Sequence, residues 1–207
     1  MMLCAVLCVK EAKYSMSYRP AIRLEPFEEA DIGRLIEWIP SAAFLLQWAG
    51  PVFKFPLDRA QLFRHLRRVA YENPTLLVYK AIDEDTGRVI GHGEIGNIDY
   101  RNHCGTLCRI LIGPQELRGR GFGVQLVRYL LELAFDQLAL HRVDLYVFDF
   151  NIQAVRCYET AGFRKEGLMR EARRHGDEYW NSCVMGILEH EWRELTKPSV
   201  EAYPMSR

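Results

Sequence analysis

Residues 110–123 read ILIGPQELRGRGFG: an apolar run, then a turn with Arg118 and Arg120 among three glycines, opening onto a long helical pattern. This combination is suited to holding a phosphate. The first turn of a helix presents N–H groups without intrahelical partners and roughly +0.5 of a charge. Glycines let an anion approach the main chain closely, and two arginines add full positive charges. Two other phosphate loops are excluded by the letters themselves. A nucleoside triphosphate loop requires Lys followed by Ser or Thr after its second glycine, and none follows. A dinucleotide fingerprint requires glycine three residues after Gly121, where the chain carries Val124. Further on, a strand-like run from Val143 leads to Asn151, Ala154, Tyr158 and Gly162-Phe163. Asn151 can cap a helix, and Tyr158 offers a phenol of pKa ~10 as a proton donor.

Arg118-x-x-Gly121-x-Gly123 and the block from Val143 to Phe163 together resemble, in order and spacing, the coenzyme A signature of the GNAT superfamily of N-acetyltransferases. The resemblance covers residues 104–188 in detail and residues 21–103 only in the order of elements. Within the superfamily it is most similar to the branch of ribosomal-protein alanine and spermidine acetyltransferases. The resemblance implies an α/β (α+β) GNAT fold: a mixed, mostly antiparallel twisted sheet of about seven strands flanked by helices, with a splayed parallel strand pair binding coenzyme A. It implies acetyl-coenzyme A as cosubstrate and a primary amine acceptor, either a small molecule or a protein N-terminus, that attacks directly. The pyrophosphate would rest on the amides of Arg120, Gly121, Phe122, Gly123 and Val124, beside Arg118. The pantetheine arm would pair with Ile110, Leu111 and Ile112, and backbone near Ile112 would stabilise the oxyanion. Asn151 would touch the pantetheine amides or cap its helix. Tyr158 would protonate the leaving thiolate, its alternative being a core aromatic. Glu94, on a strand beside the cleft, is the candidate base, its alternative being an exposed strand carboxylate. Trp48, Phe55 and Trp180 are candidate acceptor walls, with plain packing as the alternative. A second class of reading is a catalytically silent coenzyme A-binding regulatory module on the same fold.

The elements that must position these residues follow from hydrophobic period. A first strand is expected over 21–24, and a helix carrying Ile32, Leu35, Ile36 and Ile39 stops at Pro40. Ser41 caps a second helix with Phe44, Leu45 and Trp48, and Asp58 caps a third with Leu62, Leu66 and Val69 opposite Arg64, Arg67 and Arg68. Residues 75–82 and 89–98 form a hairpin about a turn at 83–87, and 105–112 is a further strand. From Gly121 the period becomes 3.6, with Val124, Val127, Leu130, Leu131, Ala134 and Leu138 on one face and Gln125, Arg128, Glu132 and Asp136 on the polar one. Strand 143–148, helix 152–161 closed by Gly162, and two strands about a turn at 173–177 complete the pattern.

The chain has 207 residues, 49% hydrophobic and 26% charged, enough apolar material for one domain over 16–207. Residues 1–15 read as a poorly ordered extension, with translation opening at Met16. Lys+Arg and Asp+Glu are both 27, so no field of one sign gathers nucleic acid or a membrane. The apolar stretch 2–9 is too short to span a bilayer and lacks a basic lead. Six scattered cysteines suit reduced thiols in the cytoplasm. A homodimer is compatible with these properties. No metal is expected: His103 and Cys104 with Cys108 invite the reading, but positions four apart on a strand are about 13 Å apart. The six histidines show no pairing in sequence. A polycationic acceptor would call for an acidic cleft, for which Glu94, Asp99, Asp149 and Asp177 are the contributors available.

Overall fold

A computed structural model describes residues 22–69 and 73–197. The expected extension over 1–15, the start at Met16 and the strand position Ala21 lie outside the described residues. Seven strands, β1 (Ile22–Pro26), β2 (Leu76–Asp83), β3 (Val89–Asp99), β4 (Cys104–Ile112), β5 (Arg142–Phe148), β6 (Arg164–His175) and β7 (Glu178–Leu188), form one sheet. Their order is β1-β2-β3-β4-β5-β7-β6, and β4–β5 is its parallel pair. The fold agrees with the GNAT architecture expected from the sequence.

The two faces of the sheet are covered differently. Val143, Leu145 and Val147 alternate into the larger core, where they meet Leu126, Leu130 and Phe135 from the helix that follows the glycine turn. That helix, α4 (Phe122–Glu132), lies on this face with α5 (Ile152–Ala161) and α6 (Glu189–Thr196). On the opposite face, α1 (Ile32–Glu37), α2 (Ala42–Ala49) and α3 (Arg59–Leu66) close a second core around Leu35, Leu45, Leu62 and Leu111 of β4. Ser41 Oγ accepts from Phe44 N–H at 3.2 Å and Asp58 Oδ1 from Gln61 N–H at 2.8 Å, so both predicted caps are made. Trp38, at the end of α1, lies flat over Gly113, where a β-carbon would come within 2.0 Å of the indole. This contact seats the α1–α3 roof on the end of β4.

Three expectations need correction. Gln125, assigned to the polar stripe of α4, is buried, because the helix is enclosed over more of its circumference than one stripe. The α-helix ends at Glu132 and continues as a π turn, Leu133–Gln137, closed by Leu138 N–H to Leu133 O at 2.9 Å. The turn expected over 173–177 shortens to two residues, since Arg173 pairs with Trp180 and His175 with Glu178 across β6 and β7. Helix α6 lies beyond the elements expected from the sequence. Its buried anchor is a single aromatic, Trp192, stacked on Phe135 at 6.1 Å.

Candidate active site

Strands β4 and β5 pair only through Cys104–Arg142, Gly105–Val143 and Thr106–Asp144. Beyond Thr106 the two strands part, although β4 stays bonded to β3 as far as Ile112 and β5 to β7 as far as Phe148. Each therefore carries an unpaired edge facing the other across a cleft of about 920 Å³. The cleft runs from the turn before α4, past Asn151 and Tyr158 of α5, to α2 on the roof side and Ser182 on β7.

The glycine turn is shaped for an anion. Gly121 takes the left-handed conformation at φ 90°, which a residue with a β-carbon rarely adopts. The first intrahelical bond of α4 runs from Gln125 N–H to Gly121 O at 3.2 Å, so the amides of 122–124 have no acceptor within the helix. Gly121, Gly123 and Val124 line the cleft, as do Arg118, Ile110, Leu111 and Ile112. Arg120 and Phe122 do not: Arg120 is exposed, and the Phe122 ring packs against the main core. Arg118 does more than add charge. Its Nε donates to Ile112 O at 2.8 Å and its Nη2 to Gly113 O at 2.9 Å, while its guanidinium lies 5.6 Å from the Phe44 ring centre. It thereby ties the glycine turn to the end of β4.

Alternation along β4 decides which amide points into the cleft. Gly113 N–H bonds Ile90 O at 2.9 Å, so Ile112, one residue earlier, turns its N–H and C=O to the unpaired edge. Arg118 takes that carbonyl, leaving the Ile112 N–H directed into the gap. On α5, Asn151 Oδ1 accepts from Ala154 N–H at 3.3 Å, so the capping role is filled while the residue also lines the cleft. Tyr158 stands on the cleft wall, its ring edge-on to Phe163 at 6.0 Å. Burial pushes its phenol well above the ordinary value, with Cys157 and Cys108 adding to the shift. Those two thiols are themselves pushed by burial to about 11, so a thiol held here is raised along with the phenol.

Glu94 is neither the exposed carboxylate nor the cleft-side base that its strand pattern suggested. It is 1% exposed, beneath the α2–α3 roof. His65 Nε2 of α3 lies 3.0 Å from Oε2, His92 Nε2 lies 3.0 Å from Oε1, and Arg109 Nη2 donates to Oε2. Burial alone would raise this carboxyl, but the hydrogen bonds from His65 and His92 and the Arg109 charge outweigh it and hold the carboxyl well below the usual range. A carboxylate so stabilised has lost the proton affinity that a base needs. Arg109 reaches it because a β-bulge gives Arg109 a φ of 51° and places two residues, 109 and 110, opposite Gly93. His92 and His65, which the sequence left unpaired, thus meet on one carboxylate. No sequence signal could have found them, because they sit on different elements 27 positions apart.

The aromatic candidates separate. Trp48 lines the cleft, donates Nε1–H to Arg109 O at 2.9 Å and packs edge-on to His92 at 5.6 Å. Phe55 lies outside it, 48% exposed, in a loop whose Lys54 amide and Lys54 and Pro56 carbonyls are all bonded to the Gln61 side chain. Trp180 stands behind the wall, stacked on His175 at 4.6 Å and edge-on to Phe148 at 5.1 Å. Among the described residues, no group of three or more His, Cys, Asp or Glu could hold a metal, and no helix is long and apolar enough to cross a membrane.

This geometry can be set beside known proteins. The profile of the Acetyltransferase (GNAT) family matches residues 42–163. The chain is 28% identical over 109 residues to the N-acetyltransferase YokL of the SPbeta prophage of Bacillus subtilis, which is 53% of this chain and 60% of that one. It is 26% identical over 163 residues to an aminoglycoside N(6')-acetyltransferase type 1 of Klebsiella pneumoniae, covering 75% of this chain and 81% of that one. In fold it is similar to a spermidine N-acetyltransferase of Vibrio cholerae crystallised with CoA and spermine, with a TM-score of 0.74 at 23% identity over 84% of this chain and 99% of that one.

Proposed function

The chain belongs to the GNAT family of acetyltransferases, and from that premise we propose that it transfers an acetyl group from acetyl-coenzyme A to the nitrogen of a primary amine. The observation that carries this reading is the gap between β4 and β5, which opens at Thr106 and ends at the glycine turn of α4. The free edge of β4 at Ile110 and Ile112 suits an amide-bearing arm, and the unpartnered amides of 122–124 suit a diphosphate. The cosubstrate supplies an activated acetyl thioester.

The amine arrives protonated and must lose one proton before it attacks. We assign that proton to solvent at the open mouth, since Glu94 is enclosed and weakly basic. The nitrogen then forms its bond to the acetyl carbon, and the Ile112 N–H is directed where the carbonyl oxygen gains charge. As the carbon–sulfur bond breaks, the nitrogen gives up its second proton to solvent, while Tyr158 gives its own proton to the sulfur and recovers one from solvent. The balance is one amide, one free thiol and one proton released.

The test has two arms. Calorimetry with acetyl-coenzyme A measures the coenzyme site, and thiol release with a panel of amines measures transfer. Tyr158→Phe should keep coenzyme affinity within about twofold and lower turnover by roughly 100-fold or more, the ordinary range for a general acid. Full turnover in that variant removes Tyr158 from the reaction, and absence of heat with acetyl-coenzyme A removes the site.

A further inference from the structure

The charges around the cleft bear on the class of amine it accepts. Among the described residues lining it there is no aspartate or glutamate, but there are four arginines: Arg109, Arg118, Arg156 and Arg173. Three of these have other work or stand at the coenzyme end. Arg109 is paired with Glu94, and Arg118 is bonded to the carbonyls of Ile112 and Gly113. Arg156 is on α5, which packs against α4 where Cys157 meets Gly123, on the side of the glycine turn. Arg173 is different. It lies on β6, directly across from Trp180 of β7, far from the glycine turn in the sheet order, and no described carboxylate forms an ion pair with it. Its Nη1 donates only to the neighbouring Ala172 O, at 2.6 Å.

None of the four carboxylates that the sequence offered for an acidic cleft lines it. Glu94 is enclosed beneath the roof. Asp99 accepts from the amides of Arg101 and Asn102 in the turn after β3. Asp149 accepts from Asn181 Nδ2 at 2.9 Å, and Asp177 is fully exposed beside Arg174 on the β6–β7 turn. Asp144 pairs with Thr106 at the closed end of the gap, off the cleft wall and near Arg142, which is itself bonded to Glu166.

Resting on the acetyltransferase reading above, we infer that the acceptor is a primary amine that also carries a carboxylate, which Arg173 pairs, rather than a polycation. A polyamine or an aminoglycoside brings several ammonium groups into a cleft that has no described carboxylate to receive them and one arginine to repel them. An amine with a carboxylate close by reverses both terms: the carboxylate matches the Arg173 guanidinium, a fork suited to bidentate pairing. The amine then needs no anionic partner, because it must be neutral when it reacts.

Thiol release from acetyl-coenzyme A, measured with the twenty free α-amino acids, short peptides with acidic second residues, spermidine and kanamycin, tests this. The amino-acid and peptide arms separate a free carboxylate from one borne by a chain. The expected result is that one carboxylate-bearing amine exceeds spermidine and kanamycin at least tenfold in kcat/KM. Arg173→Glu should lower that value at least tenfold, mostly through KM, with coenzyme affinity within twofold by calorimetry, and Arg173→Lys should recover a large part of it. Preference for spermidine or kanamycin overturns the inference, as does an unchanged preference in Arg173→Glu. Coenzyme binding without turnover of any carboxylate-bearing amine also overturns it and leaves the coenzyme site standing. Failure to bind acetyl-coenzyme A strikes the underlying function instead.

Discussion

On the proposed coenzyme side of the cleft the wall is mostly main chain: an unpaired strand edge, the amides of 122–124, and a glycine at φ 90°. Behind that edge, beneath the helical roof, the structure rests on side chains drawn from four elements, with His65 of α3, His92 and Glu94 of β3, Arg109 of β4 and Trp48 of α2 in one network. The contrast teaches where function and stability reside. Main-chain donors cost little to maintain, since helix geometry leaves them unpaired in any case. A buried ion cluster holds its neighbours firmly and punishes the loss of any member, because the survivors stay desolvated without a partner. The roof region already carries such unmet groups: Arg109 Nε and His92 Nδ1 are buried without hydrogen bonds.

The contrast can be broken by removing the centre of the roof network. Glu94→Ala should destabilise the fold by about 3–5 kcal/mol, because it strands the Arg109 charge, while coenzyme affinity measured on the folded fraction changes little. A loss under about 1 kcal/mol in urea denaturation would mean that the cluster is not the anchor. The same group sets an acid response. Its folded carboxyl lies well below the ordinary 4.5, so its contribution is complete above the unfolded value and is lost as pH falls through the folded one. Glu94→Gln should therefore flatten the fall of stability with acid below about pH 4.5.

The converse holds on the other wall. Gly121→Glu places a β-carbon in a left-handed position and a carboxylate against the proposed diphosphate site. Coenzyme affinity should fall by about 100-fold, or about 2.7 kcal/mol, with a stability loss of only about 1 kcal/mol. Unaltered affinity by calorimetry would move the diphosphate off this turn. The smallest effect belongs to the link between the two regions. Trp48→Phe deletes the indole donor to Arg109 O and should cost about 1 kcal/mol, read as a shift of the urea midpoint. Coupling it with Glu94→Ala in a double-mutant cycle sharpens the comparison, since members of one network depart from additivity.

The half of the cleft that we propose holds the coenzyme was legible in the sequence because it is local. Arg118, Gly121 and Gly123 sit within six residues, and the conformation they impose depends on backbone geometry that glycine makes accessible. Helix 152–161, its Asn151 cap and its Gly162 stop are likewise set by neighbours in the chain. Strand and helix periods therefore determined the order of elements and the glycine turn that we propose receives a phosphate. Tertiary structure alone decided the rest. Glu94 reads from its strand as an available base, yet His65, 29 positions earlier, and Arg109, 15 later, convert it into an enclosed anchor. Phe55 and Trp180 resemble Trp48 in composition, but packing alone separates the one that lines the cleft from the two that do not. Hydrogen bonds and charge pairs of this kind act over a few ångströms of space and carry no trace of sequence distance, so they come into being only when the sheet and its roof close on each other.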